Sequence, residues 1–326
     1  MNTIIPWRVT IDTNPDLCNL RCIMCDTHSI YNRYRKSDRK PMSPELLRRV
    51  LREAIDQGAK EVIPSTMGEP LLYEHFDIFI DELKRSSTKL NLTTNGSFPK
   101  KGAEKWAYDI LPLASDVKIS LNGINPEIND SIMIGTNTKE AISNVLRFAT
   151  VRNNIRIRDI NNPTVTLQVT FVKKNLHDME NIIKFAIENG IDRVKGHHLW
   201  ITWPELEYQD LRKGTNRAQW NRFVDKVEKY RNKIKLENFT EIPDTESTKD
   251  IVPETYECPF LGNEIWIAHD GTFNVCCAPS REREKLGNFG NINNNRLIEL
   301  FNTENYRDLM QEYKSREVCR TCPLRK

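Results

Sequence analysis

The stretch Cys18-Asn19-Leu20-Arg21-Cys22-Ile23-Met24-Cys25 decides how the rest of this 326-residue chain is read. Its spacing is C-x3-C-x2-C, and it follows residues 7–13, Trp-Arg-Val-Thr-Ile-Asp-Thr, which alternate as a strand does. Three thiolates this close in a loop can hold three irons of a four-iron cubane and leave the fourth iron open for chemistry. Two plainer readings exist: a zinc site completed by His28 or Asp26, and a chance group of buried thiols.

Working outward, Ser43 can cap a helix with Pro44 in its first turn, an apolar face of Leu46, Leu47, Val50, Leu51, Ala54 and Ile55, and a stop at Gly58. The same strand-helix unit recurs. Strands are readable at 61–66, 89–94, 116–121, 164–171 and 191–196, with helical patterns near 74–85, 101–111, 138–152 and 178–189 between them. Such alternation predicts an α/β fold with a parallel sheet, and six strands by residue 196 are too few for an eight-fold barrel, so a partial (β/α)6 barrel is expected. Residues 217–236 read as a charged amphipathic helix and 238–257 as a polar linker. The expected domains are 1–205, a helical and linker segment 206–257, and a small module 258–326.

Lys+Arg total 48 against Asp+Glu 45, dispersed without a basic block, so nucleic acid is not an implied partner. No apolar run is long enough to span a bilayer and the start of the chain lacks signal-peptide regions, which predicts a cytoplasmic protein with no membrane partner. The eight cysteines fall into two sets, three at 18–25 and five at 258–322. In such a chain, closely spaced cysteines are metal ligands more often than disulfide partners.

The Cys18-Cys22-Cys25 motif after a first strand resembles the signature of the radical SAM superfamily. That resemblance implies a [4Fe-4S] cluster on the three cysteines and S-adenosyl-L-methionine on its open iron, yielding a 5′-deoxyadenosyl radical that abstracts a substrate hydrogen. Thr66-Met67-Gly68-Glu69-Pro70 is similar to the family's G-G-E-P segment, which implies that Glu69 accepts from the methionine ammonium and that Gly68 permits close backbone approach. Thr94-Asn95-Gly96 resembles the family's T-N-G, and Ser120 stands where relatives place a ribose-contacting serine. Ile134 precedes Gly135 where the family often has Arg, a departure that leaves one cofactor contact unassigned. Gly196-His197-His198-Leu199 stands where the family offers backbone to the adenine. The implied cofactor-binding set is therefore Gly68, Glu69, Asn95, Ser120, His198 and Leu199. His197, His198, Trp200, Trp203, Glu205 and His269 are candidate pocket residues.

The second set reads Cys258-x17-Cys276, then Cys319-x2-Cys322, with Cys277 adjacent to Cys276. Residues 265–275 suggest a hairpin turning at Asp270-Gly271, which with the later pair gathers four thiolates, enough for one cubane or one zinc. Gly271-x4-Cys276 and the final C-x2-C resemble the SPASM/twitch extension, of which the five-cysteine form is similar to the twitch type of 2-deoxy-scyllo-inosamine dehydrogenase. This implies one auxiliary [4Fe-4S] cluster on Cys258, Cys276, Cys319 and Cys322. Cys277 is expected to point away along an extended strand and is a candidate hydrogen donor.

The expectation for function is a radical SAM oxidoreductase that takes hydrogen from a small polar substrate, with net oxidation assisted by the auxiliary cluster and an electron donor such as flavodoxin or ferredoxin. The alternatives are cross-linking or epimerisation of a ribosomally made peptide, set back by Cys18 lying near the start of the chain, and a non-catalytic zinc-binding scaffold.

Overall fold

The computed structural model describes residues 4–33, 38–64, 67–156, 163–243, 252–322 and 324–325. Its strands are β1 (Arg8–Ile11), β2 (Glu61–Pro64), β3 (Lys89–Thr94), β4 (Ala114–Ser120), β5 (Thr164–Phe171), β6 (Arg193–His198), β7 (Lys235–Glu237), β8 (Glu264–Ile267) and β9 (Phe273–Asn274). The first seven helices are α1 (Pro44–Asp56), α2 (Asp77–Leu83), α3 (Ala103–Ile110), α4 (Pro126–Ile132), α5 (Thr138–Arg156), α6 (Met179–Glu188) and α7 (Gly214–Val227). Thr66 and residues 244–251 of the expected 238–257 linker lie outside the described residues. Among the described residues no helix is long and apolar enough to cross a membrane.

The chain forms two compact units, one of residues 1–17, 37–91 and 245–326, the other of residues 18–36 and 92–244. In the first, β3, β2, β1 and β8 lie side by side in parallel, and β9 turns back antiparallel on β8. The parallel partner Ile265 opposite Val9 was not readable beforehand, because local periodicity says nothing of which strand a distant segment joins. Helix α1 begins where the sequence placed it: Ser43 caps it by accepting from the Leu46 N–H at 3.2 Å, with Pro44 in the first turn.

In the second unit β4, β5, β6 and β7 follow one another in parallel. Their alternation is strict. Val117, Ile119, Val165, Leu167, Val169 and Val194 form a fully buried apolar face. The other face carries Asp116, Lys118, Ser120, Thr166, Gln168, Arg193, Lys195, His197 and Glu237. A parallel sheet packed by helices on both sides reads as continuous apolar strands, so this alternation marks a sheet with one apolar and one polar face. The α/β core with parallel strands expected from the sequence is thus present; β7, inside the segment read as helix and linker, was not foreseen.

Candidate active site

The cysteine loop 18–25 is held by backbone and by a floor of apolar side chains. Arg21 N–H donates to Ile134 O at 2.8 Å and Ile23 N–H to Ile132 O at 2.9 Å, so the stretch after α4 braces the loop. Gly135 packs beside the loop at φ +95°, a backbone conformation that favours glycine, and an added Cβ would be in ordinary contact with Asn19 O at 3.4 Å. Beneath the loop, Leu20 and Ile23 pack with Ile132, Met133, Val172, Leu199, Trp203 and Leu206, and Cys18 and Cys22 lie against this cluster. Trp203 also donates its indole N–H to Cys25 O at 3.0 Å.

The thiols are themselves hydrogen-bonded. Cys18 Sγ accepts from Leu20 N at 3.5 Å and lies 3.9 Å from the Asn95 amide nitrogen, which also donates to Asn19 Oδ1 at 2.8 Å. Cys25 Sγ accepts from His28 N at 3.2 Å. Burial first, and Asp26 second, push the Cys25 thiol up to about 12, while the His28 and Thr27 N–H groups act against that rise. Such a thiol becomes a thiolate when a metal centre supplies the missing positive charge.

In the other unit the Gly68-Glu69 backbone rests on the chain just before Cys18. Glu69 N–H donates to Leu17 O at 2.9 Å, and Asn14 Nδ2 donates to Glu69 O at 2.8 Å. A Cβ on Gly68 would sit 2.0 Å from Asn14 O and 2.7 Å from Leu17 O, so the close approach that needs glycine here is to the chain's own backbone. The Glu69 carboxylate is buried and accepts from Leu71 N at 3.2 Å.

Beyond β4 and β6 the candidate residues separate. Ser120 and Gln168 face each other in register on the polar face, and Gln168 Nε2 lies 3.0 Å from His197 Nδ1. His198 instead points to the apolar side, its ring edge-on to Phe171 and Trp220 at 5.3 and 4.8 Å, with Nδ1 buried and unpartnered. Burial lowers His197 to about 4 and His198 to about 3, aided by Lys195 and Arg212 respectively, so both are neutral imidazoles at physiological pH. Leu199 is part of the apolar floor and its carbonyl accepts from Arg212 at 3.1 Å. Glu205 pairs with Arg33 at 3.2 Å, and His269 is half-buried beside Asp270.

The second cysteine set lies within the first unit. Cys258, Cys276, Cys319 and Cys322 act on one another electrostatically, and burial raises Cys276 to about 11 and Cys319 to about 12. Cys258 Sγ accepts from Leu261 N at 3.5 Å and Cys276 Sγ from Ala278 N at 3.4 Å. The hairpin turns at Asp270-Gly271 as read from sequence, with Gly271 at φ +87°. Its second strand stops at Asn274, however, so strand alternation does not orient Cys276 and Cys277. Cys277 is partly buried and within electrostatic reach of Cys276, Cys322 and Cys258.

A profile of the radical SAM superfamily matches residues 15–186, more than half of the chain, and a SPASM iron-sulfur cluster-binding domain matches residues 258–323. The chain belongs to the radical SAM superfamily. It is 26% identical over 215 residues to a probable GTP 3′,8-cyclase of Sulfurisphaera tokodaii, covering 65% of this chain and 60% of that protein, so it matches less than two thirds of that relative's length. Among solved structures, Streptococcus suis SuiB bound to S-adenosylmethionine superposes with a TM-score of 0.69 at 19% identity, covering 98% of this chain and 72% of SuiB. The enzyme anSMEcpe, bound to S-adenosylmethionine and a peptide, gives 0.66 at 18% identity, covering 98% and 88%.

As a radical SAM enzyme with a SPASM region, the protein uses S-adenosylmethionine, a [4Fe-4S] cluster and further iron-sulfur chemistry in the SPASM region. The donor sets suit such groups. Among the described residues no three His, Cys, Asp or Glu side chains converge as ligands of a single metal ion. The four C-terminal thiols are nevertheless close enough to act on one another electrostatically, and four thiolates suit an iron-sulfur cluster of the kind the SPASM match implies.

Proposed function

We propose that this radical SAM enzyme oxidises a small polar substrate, with one auxiliary [4Fe-4S] cluster on Cys258, Cys276, Cys319 and Cys322 accepting an electron. The observation that carries this reading is the polar face of β4 to β7. Its lower part is closed by ion pairs: Arg193 to Asp116 and, at 2.8 Å, to Glu237, and Lys195 to Glu237 at 2.7 Å. Toward the strand C-termini Gln168 and His197 present neutral donors and acceptors, a floor suited to hydroxyl, amino or amide groups.

When bound, S-adenosylmethionine and its cluster supply hydrogen-atom abstraction from carbon, and the auxiliary cluster supplies a one-electron acceptor. Loss of that hydrogen, one electron and one proton from a neighbouring O–H or N–H turns a substrate C–O or C–N bond into a double bond. In this reading Cys18, Cys22 and Cys25 hold the first cluster, Asn95 steadies the loop beside Cys18, and Glu69 accepts from the methionine ammonium. Ser120, His198 and Leu199 remain assigned to the nucleoside by their place at strand ends. A flavodoxin or ferredoxin is the proposed electron donor.

A second reading, modification of a ribosomally made peptide, is favoured by likeness of fold: SuiB has been solved with its precursor peptide SuiA, and anSMEcpe with a peptide. One experiment separates the two. Reduced enzyme is incubated with S-adenosylmethionine and either carbon-deuterated sugars, aminocyclitols and amino acid derivatives or deuterated peptides, and deuterium in 5′-deoxyadenosine is measured. Transfer from the small-molecule pool with a product two hydrogens lighter supports oxidation; transfer only from peptides replaces it with the second reading.

A further inference from the structure

Resting on the four-cysteine ligand set above, we propose that Arg325 is the electrostatic partner of the auxiliary cluster, a buried cation that ties its cysteine loops together and raises its reduction potential. The residue follows Cys322 in a turn closed by its own N–H on Cys322 O at 3.3 Å. Its side chain is only 5% exposed, yet it meets no carboxylate at ion-pair distance among the described residues. The guanidinium donates to backbone carbonyls alone: Nη1 to Cys319 O at 3.0 Å, Nε and Nη2 to Tyr256 O at 2.9 and 2.6 Å, and Nη2 to Pro253 O at 3.2 Å. Its carbon lies 5.7 Å from the centre of the Tyr313 ring, whose hydroxyl accepts from Cys258 N at 3.2 Å. Glu257, the acid that feels its charge, is committed to Lys314 and to Tyr313.

A guanidinium buried against neutral acceptors is costly unless a negative charge lies near. Ligated thiolates would supply it: the guanidinium binds the carbonyl of Cys319 at 3.0 Å, and the Arg325 N–H binds that of Cys322 at 3.3 Å. Four thiolates leave a cubane anionic and one added electron makes it more so, so a fixed neighbouring cation favours the reduced state. The fork geometry explains arginine over lysine: one head group reaches carbonyls beside Cys258 and at Cys319 together. A better electron acceptor results, which is what net oxidation requires of this cluster.

The test uses full-length protein with Cys18, Cys22 and Cys25 changed to Ala, so that only the auxiliary cluster remains. Ligation at Cys322 of a peptide spanning Cys322–Lys326 installs arginine or its uncharged near-isostere citrulline at 325, and Arg325→Lys is made conventionally. Iron and the midpoint potential, from an EPR-monitored redox titration, are then compared. The citrulline protein is expected to hold its iron at a more negative midpoint, with the lysine variant close to the arginine control. Failure of the citrulline protein to assemble a cluster that the control assembles also supports the pairing. An unchanged midpoint with citrulline, or equal shifts with citrulline and lysine, overturns it. Absence of iron from the arginine control would reject the ligand set itself, and the proposal with it.

Discussion

The indole N–H of Trp203 donates to the backbone carbonyl of Cys25 at 3.0 Å, fastening the last cysteine of the C-x3-C-x2-C loop to a residue 178 positions away. Trp203→Phe keeps most of the packing and loses this bond, an expected cost of about 0.5–1.5 kcal/mol. Trp203→Ala also empties part of the apolar floor and is expected to cost about 3–5 kcal/mol. Both variants should release iron to a chelator faster from the Cys18/Cys22/Cys25 site than from the auxiliary one. Equal release rates from the two sites would make Trp203 ordinary packing.

Gly68→Ala places a methyl group 2.0 Å from Asn14 O, where two backbones must separate. A loss of roughly 1–3 kcal/mol in thermal or urea unfolding is expected, with weaker S-adenosylmethionine binding because Glu69 moves with its neighbour. Unaltered stability would show that the backbones are not in contact there.

Cys276→Ala is expected to lose the auxiliary cluster and about half of the iron, whereas Cys277→Ala should keep both clusters. Cys276 is nominated by its N–H···S bond from Ala278 at 3.4 Å and by the Gly271-x4-Cys276 spacing. If Cys277→Ala keeps its iron and still cleaves S-adenosylmethionine but makes no product, Cys277 is the hydrogen donor and epimerisation replaces oxidation. Loss of iron from Cys277→Ala alone would exchange the two assignments.

Acid should destabilise the fold through the paired histidines. His198 is held near 3 and His197 near 4, both below the ordinary 6.5, so the unfolded chain takes up protons first as pH falls. Their contribution is complete above about pH 6.5 and is lost as pH drops toward those folded values. His198→Phe removes a buried unpartnered nitrogen and should flatten the dependence of stability on pH between 6.5 and 4. A variant with an unchanged slope would contradict the burial argument.

Much of this was legible in the chain because local rules dominate there. The strands at 89–94 and 164–171, the Ser43 cap and the Asp270-Gly271 turn all follow from side-chain period and turn chemistry over a few residues. The strict alternation of Asp-Val-Lys-Ile-Ser against Thr-Val-Thr-Leu-Gln was also in view, and could have marked a polar face opposite an apolar one. What escaped depends on distance. Nothing local says that Ile265 pairs with Val9, that Trp203 reaches Cys25, or that β9 ends two residues before Cys276. Arg325 gave no signal beyond standing three residues after Cys322, since a buried cation is distinguishable from a surface one only by its partners.

The central claim is that two cubanes occupy two separate cysteine sets and that only the first cleaves S-adenosylmethionine. Iron, sulfide and 5′-deoxyadenosine are to be measured on anaerobically purified protein and on the Cys18/Cys22/Cys25→Ala variant under dithionite. About eight irons in the parent, about four in the variant, and 5′-deoxyadenosine from the parent alone are the results expected. Zinc without sulfide in the parent, or 5′-deoxyadenosine from the variant, would contradict the account.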